Sequence, residues 1–273
     1  MPQKICLVTG ATQGIGKVAA MTLAKQGAKV GIVCRNPDRA KDLADAGIDV
    51  FVADMSVQKD IRRVAGEIRG KYDRLDVLMN NAGAIFIERV LTADGHEATF
   101  ATNHLAYFLL TELLLPMVSE AKAGRIVNVA SNAHARGKID FDDLMGERGY
   151  SGFPAYAQSK LANIMFTYEL ARRLPKHVTT NSLHPGVVAT GFGRGEHTRW
   201  LKPLITIARP FFISAEKGAE TQIYLATSPD VEGVSGKYFR KSREARSSRR
   251  SYDEAAQKRL WDISVDLTRE RIG

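Results

Sequence analysis

The sequence predicts a single doubly wound α/β domain with about seven parallel strands and helices on both faces of the sheet. Short β-rich runs alternate with amphipathic helical patterns along the chain, which is typical of right-handed βαβ units. Several strand runs are continuously apolar, as expected of strands that are covered on both faces. The 273 residues show no internal repeat and no change of composition, so we expect one domain over residues 1–273.

The predicted strands are short runs rich in β-branched and aliphatic residues, at 5–8, 30–33, 50–52, 77–79, 126–129, 179–183 and 238–239. The predicted helices lie between and after them, at about 15–26, 38–46, 57–71, 95–121, 155–174, 216–227 and 253–270. The apolar side of the last helix carries Leu260, Trp261, Ile263 and Leu267. We therefore expect this helix to cover the core.

The net charge of +9 is concentrated partly near the C-terminal end of the sequence. Residues 237–250 contain seven basic side chains and one acidic side chain. We interpret them as a solvated surface loop, with a nucleic acid, an anionic membrane and an acidic partner as alternatives. No aromatic residue lies within 246–250, and stacking on bases would need one, so we expect no nucleic-acid partner.

Cysteine content and the length of the apolar runs predict a cytoplasmic protein. Cys6 and Cys34 both lie inside predicted strands, which favours a reduced compartment. The apolar run before Gly10 is too short for a secretory signal, and polar residues interrupt the apolar stretch 105–118, so we expect no transmembrane segment. The histidines and cysteines show no metal-ligand spacing, and we predict no metal site.

A glycine-rich turn follows the first predicted strand and opens the first helix. It comprises Gly10, Ala11, Thr12, Gln13, Gly14, Ile15 and Gly16. Such a turn lets backbone amides and a helix N-terminus approach a pyrophosphate. Ala11 and Val18 stand where a nucleotide triphosphatase loop requires Gly and Ser or Thr, so the turn predicts a dinucleotide instead.

The end of the second strand indicates which dinucleotide is bound. An acidic residue there would bind the ribose 2′-hydroxyl of NAD(H), but this strand ends with Arg35 and Asn36. A guanidinium can bind a phosphate through two parallel hydrogen bonds. We therefore predict a preference for NADP(H), with NAD(H) as the alternative.

Four further motifs follow in order along the chain. Residues 80–83 read Asn-Asn-Ala-Gly after the fourth strand, Ser131 ends the fifth, 156–160 read Tyr-Ala-Gln-Ser-Lys, and 185–190 read Pro-Gly-Val-Val-Ala-Thr. With the glycine-rich turn, these motifs make the sequence resemble the short-chain dehydrogenase/reductase family over nearly the whole chain. The insertion at 134–153 and the Ser-Lys-Leu-Ala-Asn sequence at 159–163 resemble its retinol dehydrogenase-like branch.

This resemblance implies a Rossmann-type fold and a set of site residues. A catalytic tetrad would comprise Asn103, Ser131, Tyr156 and Lys160. Asp54 would hold the adenine, residues 81–83 would pack against the adenosine, and Thr190 would contact the nicotinamide carboxamide. The cofactor-binding positions predicted from the turn, the second strand and the resemblance are Gly10, Thr12, Gln13, Gly14, Ile15, Gly16, Arg35, Asn36, Asp54, Met55, Asn81, Ala82, Gly83, Tyr156, Lys160, Pro185, Gly186, Val188 and Thr190.

The predicted chemistry depends on Tyr156 and Lys160. Hydride transfer to a carbonyl carbon leaves negative charge on the substrate oxygen, so a proton donor is needed there. Of the eight tyrosines, only Tyr156 has a lysine four residues later, one helical turn away on the same face. We expect this ammonium, together with the positive nicotinamide of the oxidised cofactor, to lower the pKa of Tyr156. Ser131 would bind the developing oxyanion, with a turn cap as the alternative. For Asn103, a structural hydrogen bond and a role in proton relay both remain open.

The family resemblance would make residues 191–213 a lid over the substrate, and this stretch holds three closely spaced glycines followed by apolar side chains. An apolar lid favours a lipophilic alcohol, aldehyde or ketone. An ordinary core helix and a helix at a membrane surface are the alternatives.

The leading hypothesis is an oxidoreductase that transfers a hydride between NADP(H) and a lipophilic alcohol/carbonyl pair. The alternatives are a non-catalytic dinucleotide-sensing or partner-binding module and an enone reductase of the same superfamily. The resemblance and the surplus apolar surface of helices 95–121 and 155–174 also predict a homodimer or homotetramer.

Overall fold

The computed structural model describes residues 3–186 and 213–270, and an eight-stranded sheet lies at its centre. The strands are β1 (Ile5–Thr9), β2 (Lys29–Cys34), β3 (Asp49–Val52), β4 (Val77–Asn80), β5 (Gly124–Val129), β6 (Val178–His184), β7 (Lys237–Arg240) and β8 (Arg243–Ala245). Their order in the sheet is β3-β2-β1-β4-β5-β6-β7-β8. The first seven are parallel, as predicted, and β8 pairs antiparallel with β7.

Helices pack on both faces of this sheet, which confirms the doubly wound α/β prediction. They are α1 (Gly14–Lys25), α2 (Lys41–Asp45), α3 (Gln58–Lys71), α4 (Ala98–Phe100), α5 (Ala106–Ser119), α6 (Gly152–Arg173), α7 (Ala215–Thr227) and α8 (Glu254–Thr268). Neighbouring residues of β1 show how both faces are covered. Leu7 packs on the side of α3 and α5, whereas Cys6 and Val8 pack on the side of α1 and α7. Strands covered in this way need apolar residues at consecutive positions.

The helix predicted at 95–121 is not one continuous α-helix. The Glu97 carboxylate accepts hydrogen bonds from the Thr99 and Phe100 amides at 2.7 Å, so the helix begins at Ala98. A π-helical turn, Ala101–Leu105, then separates α4 from α5. Such a turn adds one residue to the repeat, which the apolar pattern did not show, and π turns are frequent at functional sites.

The C-terminal helix α8 covers the outer face of α5 and α6, as predicted. The Trp261 ring centroid lies 4.9 Å from that of Phe108 and 5.8 Å from that of Phe166. The Arg173 guanidinium stacks over the same indole at 4.3 Å. Helix α8 therefore buries apolar surface of α5 and α6 from which we had predicted an oligomer. The oligomeric state stays a prediction.

The basic stretch 237–250 is not the loop we expected. Strands β7 and β8 form a hairpin in which Lys241 and Ser242 turn the chain with φ of 52° and 55°. Tyr238 and Phe239 are buried in the sheet, whereas all seven basic side chains are exposed. The charges are solvated as predicted, but the sheet orders the backbone that carries them.

Candidate active site

The carboxyl ends of β1 and β4 are hydrogen-bonded to each other at the centre of the sheet. Thr9 Oγ1 accepts the backbone amides of Asn81 and Ala82, both at 2.9 Å. The Asn81 side chain in turn donates to the carbonyl oxygens of Thr9 and Gly10, at 2.8 and 3.1 Å. Two motifs that are about seventy residues apart in the sequence therefore form one surface, which is where open α/β sheets bind ligands.

Each glycine of the turn has a steric or conformational reason. Gly10 has a φ of +67°, and a Cβ there would lie 2.6 Å from the Ala82 Cα. A Cβ at Gly16 would lie 2.4 Å from the Asn81 side-chain nitrogen, and Gly14 has a φ of +57°. In this part of the structure, the Gln13 side chain makes no capping hydrogen bond to α1, so the first amides of the helix can bind an anion. The geometry fits a pyrophosphate.

The other residues of the turn differ in their solvent exposure. Ile15 is buried, Thr12 is half-buried and Gln13 is exposed. The Ile15 carbonyl oxygen accepts a hydrogen bond from Gln222 of α7 at 2.8 Å, which fixes the start of α1 against its neighbour. The predicted phosphate site is therefore supported from behind by a second helix.

At the predicted adenosine end, Arg35 projects from the end of β2 with 79% of its side chain exposed. Its guanidinium lies 3.7 Å from a carboxylate oxygen of Asp54, whose other oxygen accepts from the Ser56 amide and hydroxyl. An ion pair this long and exposed is weak, so it can yield to a phosphate. The Asn36 side chain accepts from the Asp38 amide and holds the next turn, while Met55 packs into the core.

Ser131, Tyr156 and Lys160 come together beyond the end of β5. Ser131 follows β5, and its hydroxyl hydrogen-bonds Tyr156 in the first turns of α6. Lys160 Nζ lies 5.8 Å from the Tyr156 ring centroid and donates to the Val129 carbonyl oxygen at 3.0 Å. Tyr156 is half-buried, and only 3% of Lys160 is exposed. The spacing in α6 places the lysine beside the tyrosine, as predicted.

In the protein alone the pKa of Tyr156 is raised, whereas the decrease that we expect depends also on a bound oxidised nicotinamide. Burial raises the pKa of Tyr156 above its ordinary value, and the hydrogen bond with Ser131 offsets this only in part. Burial also lowers the pKa of Lys160 to about 7, so this amine is only partly charged at neutral pH. The cost of desolvating both groups therefore opposes the attraction between the phenolate and the ammonium.

The side chain of Asn103 is occupied by the fold. Its carbonyl oxygen accepts from the Ala84 amide at 2.8 Å, and its amide donates to the Ala84 carbonyl oxygen and to Ser159 Oγ, both at 2.9 Å. These bonds favour the structural role that we had left open. They also place Asn103 beside Gly83, where a Cβ would lie 3.2 Å from Asn103 Oδ1 and 3.4 Å from Lys160 Nζ.

The last predicted motif lies only partly inside the described residues. Pro185 and Gly186 follow β6 and are half-buried, and Gly186 has a φ of +97°. A Cβ there would lie 2.4 Å from Ile213 Cδ1. Val188, Thr190 and residues 191–212 of the predicted lid lie outside the described residues.

Two residues beside the site were not predicted to belong to it. The ring of His134 is buried, and its Nδ1 lies 2.6 Å from the Ser131 carbonyl oxygen. Tyr107 is buried with its ring 5.7 Å from Lys160 Nζ, and its hydroxyl has no hydrogen-bond partner among the described residues. In the sequence, the signal for His134 was its position three residues after Ser131, and the signal for Tyr107 was its position four residues after Asn103.

Two negative findings apply to residues 3–186 and 213–270. In these ranges, no group of three or more His, Cys, Asp or Glu side chains is placed to hold a metal ion. Over the same residues, no helix combines the length and the apolar composition needed to cross a membrane.

A doubly wound sheet with a phosphate-binding glycine turn and a Ser-Tyr-Lys group at the ends of its strands defines a dinucleotide-dependent oxidoreductase. The family model described as short chain dehydrogenase matches residues 4–199. The chain belongs to the short-chain dehydrogenase/reductase family and, within it, to the retinol dehydrogenase-like branch. The resemblance found in the motifs is confirmed.

Two relatives illustrate the branch. Retinol dehydrogenase 14 of Mus musculus is 41% identical over 285 residues, which cover 97% of this chain and 85% of that protein. The Streptomyces sp. (strain C5) protein DnrU, a candidate daunorubicin C-13 ketoreductase, is 40% identical over 97% of this chain and 92% of its own length.

Solved structures agree with the fold. A crystal structure of an uncharacterized protein from Mycobacterium paratuberculosis superposes with a TM-score of 0.80 at 32% identity, covering 99% of this chain and 95% of the other. A candidate short chain dehydrogenase from Shigella flexneri 2a strain 301, complexed with NADP, has a TM-score of 0.64 at 25% identity and covers 88% and 97% of the two chains. Together with the family, this complex supports the binding of a nicotinamide dinucleotide.

Proposed function

We propose that this protein is an NADP(H)-dependent oxidoreductase that interconverts a lipophilic alcohol and its carbonyl compound, with Tyr156 as the general acid and base. One observation carries the proposal. The hydrogen-bonded pair Ser131–Tyr156 and the side chain of Lys160 lie beyond the end of β5. Gly83 and Asn103 connect this group to the neighbouring glycine-rich turn. A phenol, a hydroxyl and an amine are thus held where a dinucleotide and a substrate can meet.

The chain offers a separate group to each part of the cofactor. The glycine turn and the start of α1 would hold the pyrophosphate, Lys160 the nicotinamide ribose and Arg35 the 2′-phosphate. When bound, the nicotinamide supplies or accepts the hydride. The absence of an acidic residue at the end of β2 supports NADP(H) over NAD(H).

Tyr156 would act in both directions of the reaction. An ordinary phenol carries its proton near neutral pH, so the Tyr156 hydroxyl would donate it to the substrate oxygen during carbonyl reduction. Ser131 lies within hydrogen-bond reach of the same hydroxyl and would orient that oxygen. In the direction of alcohol oxidation, Tyr156 must first be ionised, and protonation of Lys160 would stabilise the phenolate.

The names of the relatives support the substrate class. A retinol dehydrogenase acts on an alcohol, and a C-13 ketoreductase acts on a ketone. The apolar composition of residues 191–213 favours a lipophilic member of this alcohol/carbonyl class.

The proposal is tested by mixing the purified protein with NADPH or NADH and a panel of hydrophobic aldehydes and ketones, while following the absorbance of the reduced cofactor. We expect turnover with NADPH that Tyr156→Phe abolishes without loss of NADPH binding. Tyr168→Phe is the matched control, because Tyr168 lies on the same helix, has an arginine at the same spacing and bonds Ser247 instead. It should keep turnover. Tight NADPH binding without turnover across the panel would indicate a sensing module, and turnover of enones alone would indicate a double-bond reductase.

A further inference from the structure

The peptide group between Ser131 and Asn132 is held on both edges by buried histidines. His134 Nδ1 lies 2.6 Å from the carbonyl oxygen of this peptide, and His184 Nδ1 accepts its N–H at 3.1 Å. His134 and His184 are 3% and 6% exposed; His134 lies in the short helical turn after β5, and His184 ends β6. The Ser131 carbonyl oxygen also accepts the backbone amide of His134 at 3.1 Å. A peptide plane with both polar atoms bonded in this way has little freedom to rotate.

The hydrogen bonds also define the form of His134. Its Nε2 accepts the backbone amide of Ser248 at 3.1 Å, and an amide can only donate. Nε2 is therefore the unprotonated nitrogen, and Nδ1 carries the hydrogen that is donated to the Ser131 carbonyl oxygen. The ring packs against Tyr238, with the centroids 5.0 Å apart, so it cannot turn without breaking both bonds.

The Ser248 contact connects this peptide to the basic C-terminal segment. Arg250 makes a second connection by donating to the Gly137 carbonyl oxygen at 3.0 Å, just beyond the turn that contains His134. The exposed arginines of 246–250 therefore belong to a segment that is hydrogen-bonded to the residues after β5. Nothing in the sequence pattern linked this segment to Ser131.

Orientation of this peptide controls the direction of the Ser131 side chain. Ser131 has an extended backbone, with φ of −153° and ψ of 157°, and its hydroxyl also accepts the Ala133 amide at 3.2 Å. Rotation of the following peptide would move that amide and turn the hydroxyl away from Tyr156. A displacement of about 1 Å at a reacting group can cost about 100-fold in rate.

We propose that His134 is a positioning residue of the active site, whose Nδ1–H holds the Ser131 carbonyl and so aims the Ser131 hydroxyl at Tyr156. This inference rests on the proposed function, because it assigns a role relative to the proposed catalytic serine. His134 touches neither substrate nor cofactor in this role and acts only through Ser131.

Two substitutions separate the two bonds of the ring. The amide of His134→Asn reaches about as far as Nδ1 and can still donate to Ser131, whereas that of His134→Gln reaches about as far as Nε2 and can accept only from Ser248. Each variant removes one hydrogen bond, so their stabilities in urea should be similar. We expect His134→Gln to lower kcat about 100-fold with little change in KM for NADPH, and His134→Asn to recover most of kcat. An equal loss in the two variants would overturn the proposal, since kcat would then follow stability alone.

A double-mutant cycle with Ser131→Ala tests whether the effect passes through the serine. Without the Ser131 hydroxyl there is nothing to aim, so adding His134→Gln should leave the residual turnover of Ser131→Ala unchanged. A further loss as large as that in the wild-type background would overturn the positioning role and leave the proposed function standing. Wild-type turnover in Ser131→Ala itself would overturn both.

Discussion

Replacing Lys160 by methionine should stabilise the cofactor-free protein while abolishing its activity. Burial lowers the pKa of Lys160 from 10.5 to about 7, which means that the fold opposes the charged form. Each pKa unit corresponds to about 1.4 kcal/mol, so at neutral pH the native state loses about 4 kcal/mol relative to an unfolded chain with an ordinary lysine. Methionine removes this cost but also the bond to the Val129 carbonyl, worth about 1 kcal/mol. The expected gain is about 3 kcal/mol.

The pH dependence of the stability gain tests whether the buried lysine charge causes it. Between pH 7 and pH 10.5 the unfolded wild-type chain binds more protons than the native state, so wild-type stability rises with pH across this window. Lys160→Met lacks that contribution, and its advantage should shrink towards zero near pH 10. Urea unfolding of both proteins without cofactor at the two ends of the window measures the difference. Other titrating groups are common to both proteins and cancel.

Lys59→Met is the matched control, because Lys59 is an exposed lysine on α3. It should change the free energy of unfolding by less than about 0.5 kcal/mol at either pH. The reasoning would be refuted if Lys160→Met were less stable than the wild type at neutral pH, or if its advantage were the same at both ends of the window. Either result would mean that the native protein does not oppose protonation of this amine.

Three further predictions address the cofactor, the hairpin and the C-terminal helix. Arg35→Ala should raise KM for NADPH about tenfold and leave that for NADH unchanged, since only NADPH carries the 2′-phosphate; steady-state kinetics measures both, and an equal rise would count against the assignment. Ser242→Gly should raise the free energy of unfolding by about 0.5–1 kcal/mol, because glycine adopts its φ of 55° without strain, and a decrease in urea unfolding would contradict this. Trp261→Ala should lower the same quantity by about 3–5 kcal/mol through lost packing on Phe108 and Phe166, and a loss below about 1 kcal/mol would show that α8 is not part of the core.

The features that were predicted correctly depend on short stretches of sequence. Several of the parallel strands were found because strands covered on both faces are apolar at consecutive positions, as Cys6, Leu7 and Val8 are. The pairing of Tyr156 with Lys160 was found because a spacing of four residues within one helix places two side chains on one face. The glycines of the turn were found because a close backbone approach excludes a Cβ wherever the rest of the chain lies.

Features with weak local patterns were missed. Strand β8 is three residues long and largely charged, and it pairs only because β7 beside it offers an edge. The π turn at Ala101–Leu105 leaves the apolar run of its helix intact, so the pattern did not reveal the extra residue.

The sequence alone was enough to predict the glycine-rich turn, the pairing of Tyr156 with Lys160 on one helix, and Ser131 at the end of a strand. Each of these features depends on backbone geometry within a few residues. Folding decided the electrostatic state of these groups, since desolvation depends on every element packed around a side chain. It raised the pKa of Tyr156 and lowered that of Lys160, whereas the spacing alone had suggested an acidic phenol beside a full positive charge. It also brought Ser248 to His134 across more than a hundred residues, a contact that no local pattern encodes.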